Sequence, residues 1–226
     1  GGLRVGKHPS GLGSIIYFGT GKYFEVGDNS YSGSSVPQVD TFYAVLDDGS
    51  TTNLTRGQLK PRTFTMVGNN RTASQNSVSY SGSEMGWYID LLDGATKRGE
   101  RVNSTPLLSG GRVIFASIIP SSGASCGGEG SSYLNELDAL TGGMLNDKVL
   151  DTNNDGKIDS SDTQVASVQL NGLISDPSIV GGQDRDYKII GSTSSGGSVQ
   201  ILSETKTGSG DDNGIPKGRV SWQQLQ

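Results

Sequence analysis

The segment LLSGGRVIFASIIP (107–120), followed by SYLNELDALTGG (132–143), shows the pattern on which the whole chain is built. Each half contains a run of apolar and β-branched residues, and turns rich in glycine or serine separate the runs. Paired runs of this kind are typical of antiparallel hairpins. Two other pairs of segments share the layout: 11–24 with 41–50, and 180–197 with 198–208. This recurrence predicts an all-β protein made of repeated sheets.

The turn DALTG, which ends the second run, favours a β-propeller with quinoprotein-like blades. Asp138 and Thr141 can bond to backbone groups of the turn, and Gly142 can adopt a positive φ. About three blades fit into this length, and three blades do not close a ring. We therefore expect residues 1–226 to be the C-terminal part of a larger propeller domain. Further strands are predicted at Thr63–Val67, Gly86–Leu92, Met144–Leu150, Gln164–Leu170 and Arg219–Trp222.

The composition argues against nucleic acid and membranes as partners. The formal net charge is −5 and the chain has no basic run that could bind a polyanion. The longest mostly apolar run, Val113 to Ile119, is far too short to span a bilayer. We therefore predict neither nucleic-acid binding nor membrane insertion. The chain shows no signal peptide and starts with two glycines, so a further segment is expected upstream.

The stretch DTNNDGKIDSSD (151–162), called the acidic loop below, matches the spacing of an EF-hand calcium loop. Such a loop has oxygen ligands at positions 1, 3, 5, 7, 9 and 12 and glycine at position 6. Gly156 stands at position 6, and Ile158 supplies the usual apolar residue at position 8. The ligand positions hold Asp151, Asn153, Asp155, Lys157 through its carbonyl, Asp159 and Asp162. The pattern predicts a Ca²⁺ site, although aspartate at position 12 is shorter than the usual glutamate.

The alternative to a metal site is a solvated acidic turn held by Asx motifs. The long match in spacing favours the metal, and without a cation the carboxylates repel one another. The flanks, GGMLNDKVL before the loop and TQVASVQLNGLIS after it, look like strands. We therefore expect the loop to connect two strands rather than two helices. A dockerin would need two such loops with helices, and this chain has one loop.

Residues that could support catalysis are scarce, and the chain is predicted not to be an enzyme. His8 is the only histidine and Cys126 the only cysteine, which leaves too few groups for a zinc site or a Ser-His-Asp triad. We expect His8 in a surface turn, and Trp87 and Trp222 packed within sheets. Cys126 is either an unpaired loop thiol or bonded to a cysteine outside this chain. GSGDDNG (208–214) is more typical of an acidic loop than of a second cation site.

Six stretches follow one another in a characteristic order. They are YFGTGKYFE (17–25), GWYIDL (86–91), ERVNSTPLLSGGRVIFASIIP (100–120), CGGEGSSYLNELDALTGG (126–143), the acidic loop and GRVSWQQL (218–225). Together they resemble the C-terminal domain of the PilC/PilY family of type IV pilus tip-associated proteins. The resemblance extends along nearly the whole chain.

This resemblance implies a β-propeller that carries a calcium loop. It implies the ligands named above except Asp162, which only the EF-hand spacing predicts. It also implies an extracellular protein at the pilus tip or the bacterial surface, with minor pilins as partners. Its roles would be pilus assembly, control of retraction, twitching motility and adhesion, and a host or abiotic surface would be bound by an N-terminal part that this sequence does not contain.

Two alternatives stay open. The first is a quinoprotein-like propeller dehydrogenase, suggested by the DALTG turn, although the sequence continues GMLNDKV without the tryptophan that usually follows in those enzymes. The second is a calcium-stabilised, non-catalytic scaffold that docks another subunit. An absorbance scan for bound quinone tests the first alternative, and minor pilin genes beside this gene would argue against the second.

Overall fold

A computed structural model describes residues 1–25, 28, 38–121, 130–153, 155–181, 186–193 and 197–204. The regular secondary structure of this part of the chain consists of β-strands and one short 3₁₀ turn at Arg56–Gln58, and the all-β prediction is confirmed. The strands are β1 (Leu3–Lys7), β2 (Ser14–Gly19), β3 (Thr41–Asp47), β4 (Lys60–Arg62), β5 (Phe64–Val67), β6 (Asn70–Ala73), β7 (Gly86–Asp90), β8 (Leu107–Ser109), β9 (Arg112–Pro120), β10 (Gly130–Asp138), β11 (Ser167–Asn171), β12 (Ser178–Gly181), β13 (Asp186–Ser192) and β14 (Ser198–Glu204).

The strands form three sheets that stack as layers. Sheet 1 has the order β1-β2-β3-β7-β4, sheet 2 the order β5-β6-β11-β10-β9-β8, and sheet 3 the order β12-β13-β14. Paired strands run antiparallel, apart from the parallel pair β4 and β7. Sheet 2 lies in the middle, because it packs against sheet 1 on one face and sheet 3 on the other. No sheet closes on itself within the described residues, and the propeller stays a prediction.

The three hairpins predicted from the repeated segments are confirmed. Strands β2 and β3, β9 and β10, and β13 and β14 form antiparallel pairs. Nearly every residue of β9 is buried, because both faces of sheet 2 are covered by another sheet. The predicted strands Thr63–Val67 and Gly86–Leu92 correspond to β5 and β7, and Gln164–Leu170 corresponds to β11, which starts at Ser167.

The predicted strand Met144–Leu150 is wrong. Carbonyl groups in this segment are bonded by a side-chain amide instead of a neighbouring strand. Gln164 donates to the carbonyls of Leu145 and Asn146 at 2.6 and 2.9 Å. The end of the segment, including Val149, is nevertheless buried between sheets 2 and 3, so the apolar pattern predicted burial but not conformation. Four predictions lie outside the described residues: the strand Arg219–Trp222, the packing of Trp222, the state of Cys126 and the segment 208–214.

The contact between sheets 1 and 2, called the first interface, has an aromatic core. Phe42 stacks on Phe115 with ring centroids 3.8 Å apart, and the centroids of Phe42 and Trp87 lie 5.9 Å apart. All three side chains are completely buried. The prediction that Trp87 is a packed sheet residue is therefore confirmed. Large aromatic side chains bury the most apolar area, so these three contribute strongly to the stability of the interface.

The DALTG turn after β10 has the geometry that its sequence predicts. The Asp138 carboxylate accepts hydrogen bonds from the N–H groups of Leu140 and Thr141 at 3.0 and 2.7 Å. Gly142 has a φ of +68°, in the left-handed region. A Cβ atom at Gly142 would lie only 2.3 Å from the ring of Trp87, so both backbone and packing require glycine here.

Side chains of the first interface also hold this turn from the side of sheet 1. The indole N–H of Trp87 and the hydroxyl of Tyr17 both donate to the carbonyl of Ala139 at 3.1 Å. The hydroxyl of Tyr80 donates to the carbonyl of Leu140 at 2.6 Å. A tryptophan thus packs on the turn, but it comes from the neighbouring sheet instead of from the residues that follow the turn.

The contact between sheets 2 and 3, called the second interface, has a smaller core without aromatic side chains among the described residues. Ile114 and Leu134 of sheet 2 cluster there with Ile190 of sheet 3. Beside this core lie four buried charged side chains, called the charge cluster below: Arg112, Glu136, Lys188 and Glu204.

Candidate metal centre

The acidic loop lies in the connection between β10 and β11, which pair within sheet 2. It therefore joins two strands, as its flanks predict. Asn153, Asp155, Lys157 and Asp159 are exposed, whereas Asp162 retains only 4% of its accessible surface. Asp151 is half-buried, so the predicted ligands range from an exposed set at the tip to one buried carboxylate at the base.

Asp162 closes the base of the loop. One carboxylate oxygen accepts hydrogen bonds from the N–H and the hydroxyl of Thr152, at 2.6 and 3.1 Å. The other oxygen accepts a bond from the N–H of Asp159 at 2.9 Å. The hydroxyl of Thr152 in turn accepts a bond from the N–H of Thr163 at 2.8 Å. A single buried carboxylate therefore ties the beginning of the loop to its end.

At the tip, side-chain oxygens accept bonds from backbone N–H groups of the loop itself. Asp151 accepts the N–H of Gly156 at 2.8 Å, across a turn in which Gly156 has a φ of +82°. Asn153 accepts the N–H of Asp155 at 3.0 Å, and Asp155 accepts the N–H of Lys157 at 2.8 Å. The positive φ explains why glycine stands at the sixth position of the loop.

Two carboxylates of the loop have shifted pKa values. Ser161 donates to Asp159 through its hydroxyl at 2.7 Å and its N–H at 2.8 Å, and these bonds lower the pKa of Asp159. Burial raises the pKa of Asp162, but the bonds from the N–H groups of Asp159 and Thr152 outweigh burial and lower it overall. Both groups are therefore ionised at neutral pH, and the loop carries fixed negative charge.

The donor set suits a hard cation, but the structure does not gather it round one point. Every predicted ligand offers oxygen, as a carboxylate, an amide or a carbonyl, and Ca²⁺ takes about six to eight oxygens. Within the described ranges, no three acidic, histidine or cysteine side chains lie close enough together to hold a metal ion. The assignment of calcium therefore stays a prediction for Asp151, Asn153, Asp155, Lys157, Asp159 and Asp162.

The charge cluster lies next to the start of the acidic loop. Lys188 bonds to Glu136 at 2.6 Å and to Glu204 at 2.8 Å, and Arg112 bonds to the same two carboxylates at 2.6 and 2.7 Å. Two positive charges therefore balance two negative charges across the second interface. Lys188 also donates to the carbonyl of Val149, just before the loop, at 3.2 Å.

The sequence predictions do not include the charge cluster, although the sequence contains a signal for it. Lys188 and Ile190 stand two residues apart in β13, and both are completely buried. Residues two apart in a strand share a face, so a lysine in phase with a core isoleucine predicts a buried ion pair. The partners Glu136 and Glu204 are distant in sequence, and no local pattern identifies them.

One further contact joins the acidic loop to sheet 3. The hydroxyl of Ser203 in β14 donates to the carbonyl of Gly156 at 2.7 Å. Near the other side of the loop, Lys148 donates to the carbonyl of Ser160 at 2.9 Å. The loop therefore belongs to sheet 2 by sequence and contacts sheet 3 in space.

His8 lies in a turn, as expected, but it is buried rather than on the surface. Only 8% of its surface is accessible, and its ring packs edge-on against Tyr80 with centroids 4.6 Å apart. Tyr80 is distant in sequence, so a local pattern could not place it over the ring.

None of the helical structure in the described residues is long and apolar enough to cross a bilayer.

No family model matches the chain. A type IV pilus biogenesis factor PilY1 homolog of Xylella fastidiosa strain Temecula1 is 38% identical over 149 residues, covering 63% of this chain and 10% of the relative. The type IV pilus biogenesis factor PilY1 of Pseudomonas aeruginosa strain PAO1 is 31% identical over 175 residues, covering 68% of this chain and 15% of the relative. The chain therefore spans only a small part of these relatives.

A solved structure extends this similarity to the fold. The crystal structure of the Pseudomonas aeruginosa PilY1 C-terminal domain matches with a TM-score of 0.70 and 26% sequence identity. The match covers 90% of this chain and 44% of that one. The sequence and structural similarities agree with each other and with the resemblance found in the sequence. The chain is therefore homologous to proteins of the PilY1 family and matches their C-terminal domain.

Proposed function

We propose that the chain is part of a type IV pilus biogenesis factor that binds Ca²⁺ in the acidic loop and influences pilus extension and retraction. The similarity to PilY1 proteins in sequence and fold carries the proposal. The protein would act without catalysis at the pilus tip or the outer cell surface, together with minor pilins. Twitching motility and surface adhesion would depend on it.

We also propose that the three sheets are about three blades of a β-propeller, with residues 1–226 as its C-terminal part. The face-to-face stacking of the sheets and their recurring hairpins support this arrangement. The stack also leaves apolar side chains exposed at both ends: Leu3 and Val5 of sheet 1 are 60% and 52% exposed, and Val199 and Ile201 of sheet 3 are 68% and 64% exposed. Sheet faces of this kind need a covering layer, which further blades would supply.

The proposed calcium site uses the acidic loop as it is already closed. Asp162 ties the ends of the loop and Gly156 makes its turn, which keeps the proposed ligands within one closed loop. Two carboxylates about 4 Å apart repel by roughly 1 to 4 kcal/mol, and a bound cation reverses that effect. The ligands would be Asp151, Asn153, Asp155, the Lys157 carbonyl and Asp159, with Asp162 able to add an oxygen at the base.

The ligand assignment is tested by isothermal titration of calcium into the Asp155→Ala variant. Removing a charged ligand from the middle of the loop is expected to weaken binding strongly, while the β-sheet signal in circular dichroism stays unchanged. Asp147→Ala is the matched control, because Asp147 is exposed and lies outside the loop. Calcium binding that is the same in both variants would show that the assignment is wrong.

The biological role is tested in a piliated host that produces the same variants. Asp155→Ala should change the number of surface pili or the rate of twitching, and Asp147→Ala should not. Asp155→Lys places a positive charge near the ion site and should mimic the filled loop. An affinity in the micromolar range, as in sensor loops, would allow switching. Normal pili and twitching despite lost calcium binding would make the ion purely structural.

A further inference from the structure

Two hydrogen bonds with donors far away in sequence attach sheet 3 to the acidic loop and to Val149, which lies just before the loop. Ser203 donates to the carbonyl of Gly156 at 2.7 Å, and Lys188 donates to the carbonyl of Val149 at 3.2 Å. Both donors belong to sheet 3, whereas the loop connects two strands of sheet 2. Sheet 3 therefore holds the tip of the loop and, just before the loop, the stem that leads into it.

The contact at the tip controls a single peptide plane. The carbonyl of Gly156 and the N–H of Lys157 belong to the same planar peptide group. Ser203 holds the carbonyl side of this plane, and the N–H side donates to Asp155 at 2.8 Å. A rotation of the plane would therefore move the bond to Asp155 and the Lys157 carbonyl that follows it, and both residues are proposed ligands.

The contact at the stem leads into the charge cluster. Lys188 donates to the carbonyl of Val149 and forms ion pairs with the carboxylates of Glu136 and Glu204. Glu204 follows Ser203 directly in β14, and consecutive strand residues point to opposite faces. One end of β14 thus contacts the loop through Ser203 and the charge cluster through Glu204.

From this arrangement we propose that Ser203 and Lys188 are positioning residues for the calcium loop, and that they couple calcium binding to the docking of sheet 3 on sheet 2. The inference rests on the proposed calcium binding and adds the part of the fold on which the ion acts. Coupling between two equilibria is reciprocal. If docking of sheet 3 raises the affinity for calcium by a given factor, bound calcium favours docking by the same factor.

The test compares two serine variants of the purified protein. Ser203 and Ser192 are 7% and 6% exposed, and both lie in sheet 3. Ser192 donates to the carbonyl of Asn171 in sheet 2 at 2.9 Å, so Ser192→Ala removes a similar bond without touching the loop. Ser203→Ala is expected to weaken calcium binding about fivefold, the effect of one hydrogen bond, and Ser192→Ala by less than about twofold.

Hydrogen exchange supplies a readout of docking that is separate from affinity. In the unaltered protein, saturating calcium should slow amide exchange in β13 and β14. In Ser203→Ala, the same saturation should give much less protection although the ion is bound. Ser203→Thr keeps the hydroxyl and should restore both the affinity and the protection.

The outcomes separate this inference from the proposed function. If the unaltered protein binds no calcium, both are overturned. If it binds calcium, and Ser203→Ala matches Ser192→Ala in affinity and in exchange, the coupling through Ser203 is overturned while the calcium site stands. A loss in Ser203→Ala that Ser203→Thr reverses supports the coupling.

Discussion

The two interfaces of sheet 2 are held together by different forces. The first interface buries aromatic rings, among them Trp87, Phe42 and Phe115, and adds hydrogen bonds from buried side chains to carbonyls of the DALTG turn. The second interface has an aliphatic core in the described residues and four buried charges that cross it. Apolar burial tolerates small shifts in charge nearby, whereas a buried ion cluster depends on the presence of every partner. The second interface is therefore the one suited to respond to an ion in the acidic loop.

The first interface also contains buried charge, but the buried ion pairs described there do not join strands of two sheets. The buried Arg62 of sheet 1 donates to the carbonyl of Thr141 in the DALTG turn at 2.6 Å. Arg71 of sheet 2 bonds to Glu100 at 2.9 and 2.6 Å, contacts Asp93, and stacks over the ring of Tyr133 at 3.4 Å. Glu100 and Asp93 lie in the connection between β7 and β8. These bonds fasten a connection onto sheet 2, whereas the charge cluster fastens sheet 3 itself.

The largest expected effect breaks the second interface. Lys188→Met leaves Glu136 and Glu204 buried with Arg112 as their one remaining cation in the cluster, and burial already raises the pKa of Glu136. Breaking a buried cluster in this way typically costs about 3 to 5 kcal/mol of unfolding free energy. Denaturant unfolding measures the loss.

Lys60→Met is the control for this measurement. Lys60 pairs with Glu84 at 2.5 Å, but 41% of its side chain is exposed. Exposed pairs contribute about 0 to 1 kcal/mol, so this variant should be nearly as stable as the unaltered protein. Equal losses in the two lysine variants would contradict the importance given to the charge cluster.

The next effect breaks the first interface. Gly142→Ala places a methyl group against Trp87 in a residue with a φ of +68°. Gly68→Ala is matched, because Gly68 has a φ of +62° and nothing within 4 Å of the added carbon. Left-handed backbone costs each variant about 1 to 2 kcal/mol, and overpacking adds about 1 to 3 kcal/mol for Gly142→Ala alone. Thermal unfolding that shows no difference between them would remove the packing argument.

A smaller loss of stability is expected from removing the carboxylate that closes the acidic loop than from the two changes above. Removing an exposed carboxylate at the tip should cost even less. With calcium removed by chelator, Asp162→Ala leaves the N–H groups of Thr152 and Asp159 without their acceptor, and should cost about 1 to 3 kcal/mol. Asp155→Ala removes an exposed carboxylate and should change stability little under the same conditions. A melting temperature unchanged by Asp162→Ala would mean that the buried carboxylate does not close the loop.

Local patterns in the sequence predicted the hairpins, the DALTG turn and the position of the acidic loop between strands. In each case the information lies within a few residues. The runs of apolar and β-branched residues predict β9 and β10, the turn-forming residues Asp138 and Gly142 predict the turn, and the spacing of the oxygen-bearing residues predicts the loop. The residues that determine these features are close together in sequence, so their prediction needs no knowledge of the neighbouring sheets.

Contacts between sheets could not be predicted in this way. Trp87 packs on a turn that begins at Asp138, and Lys188 meets Glu136 across the second interface. The segment from Met144 to Leu150 is not a strand, and the side chain of Gln164 bonds to two of its carbonyls. The first two contacts depend on which sheet lies beside which, and the third depends on how the long connection between β10 and β11 folds back on itself.

The smallest expected effect concerns His8, at the edge of the first interface. Burial lowers the pKa of His8 below its ordinary value of about 6.5. The unfolded chain then binds a proton more readily than the folded one, so stability present above pH 6.5 is lost as the pH falls from there towards the lowered pKa. The melting temperature should therefore drop more between pH 7.5 and 5.5 in the unaltered protein than in His8→Phe.

Comparing the unaltered protein with His8→Phe also shows which interface loses stability at low pH. Asp159 and Asp162 have lowered pKa values and stay ionised throughout that range, so the base of the acidic loop does not titrate. Glu136, whose pKa burial raises, is present in both proteins, and its contribution cancels in the difference. A difference that survives this subtraction comes from the buried ring of His8, which packs on Tyr80 and accepts the N–H of Ser10 at 3.2 Å. Equal drops in the two proteins would mean that the histidine ring exchanges its proton freely despite its burial.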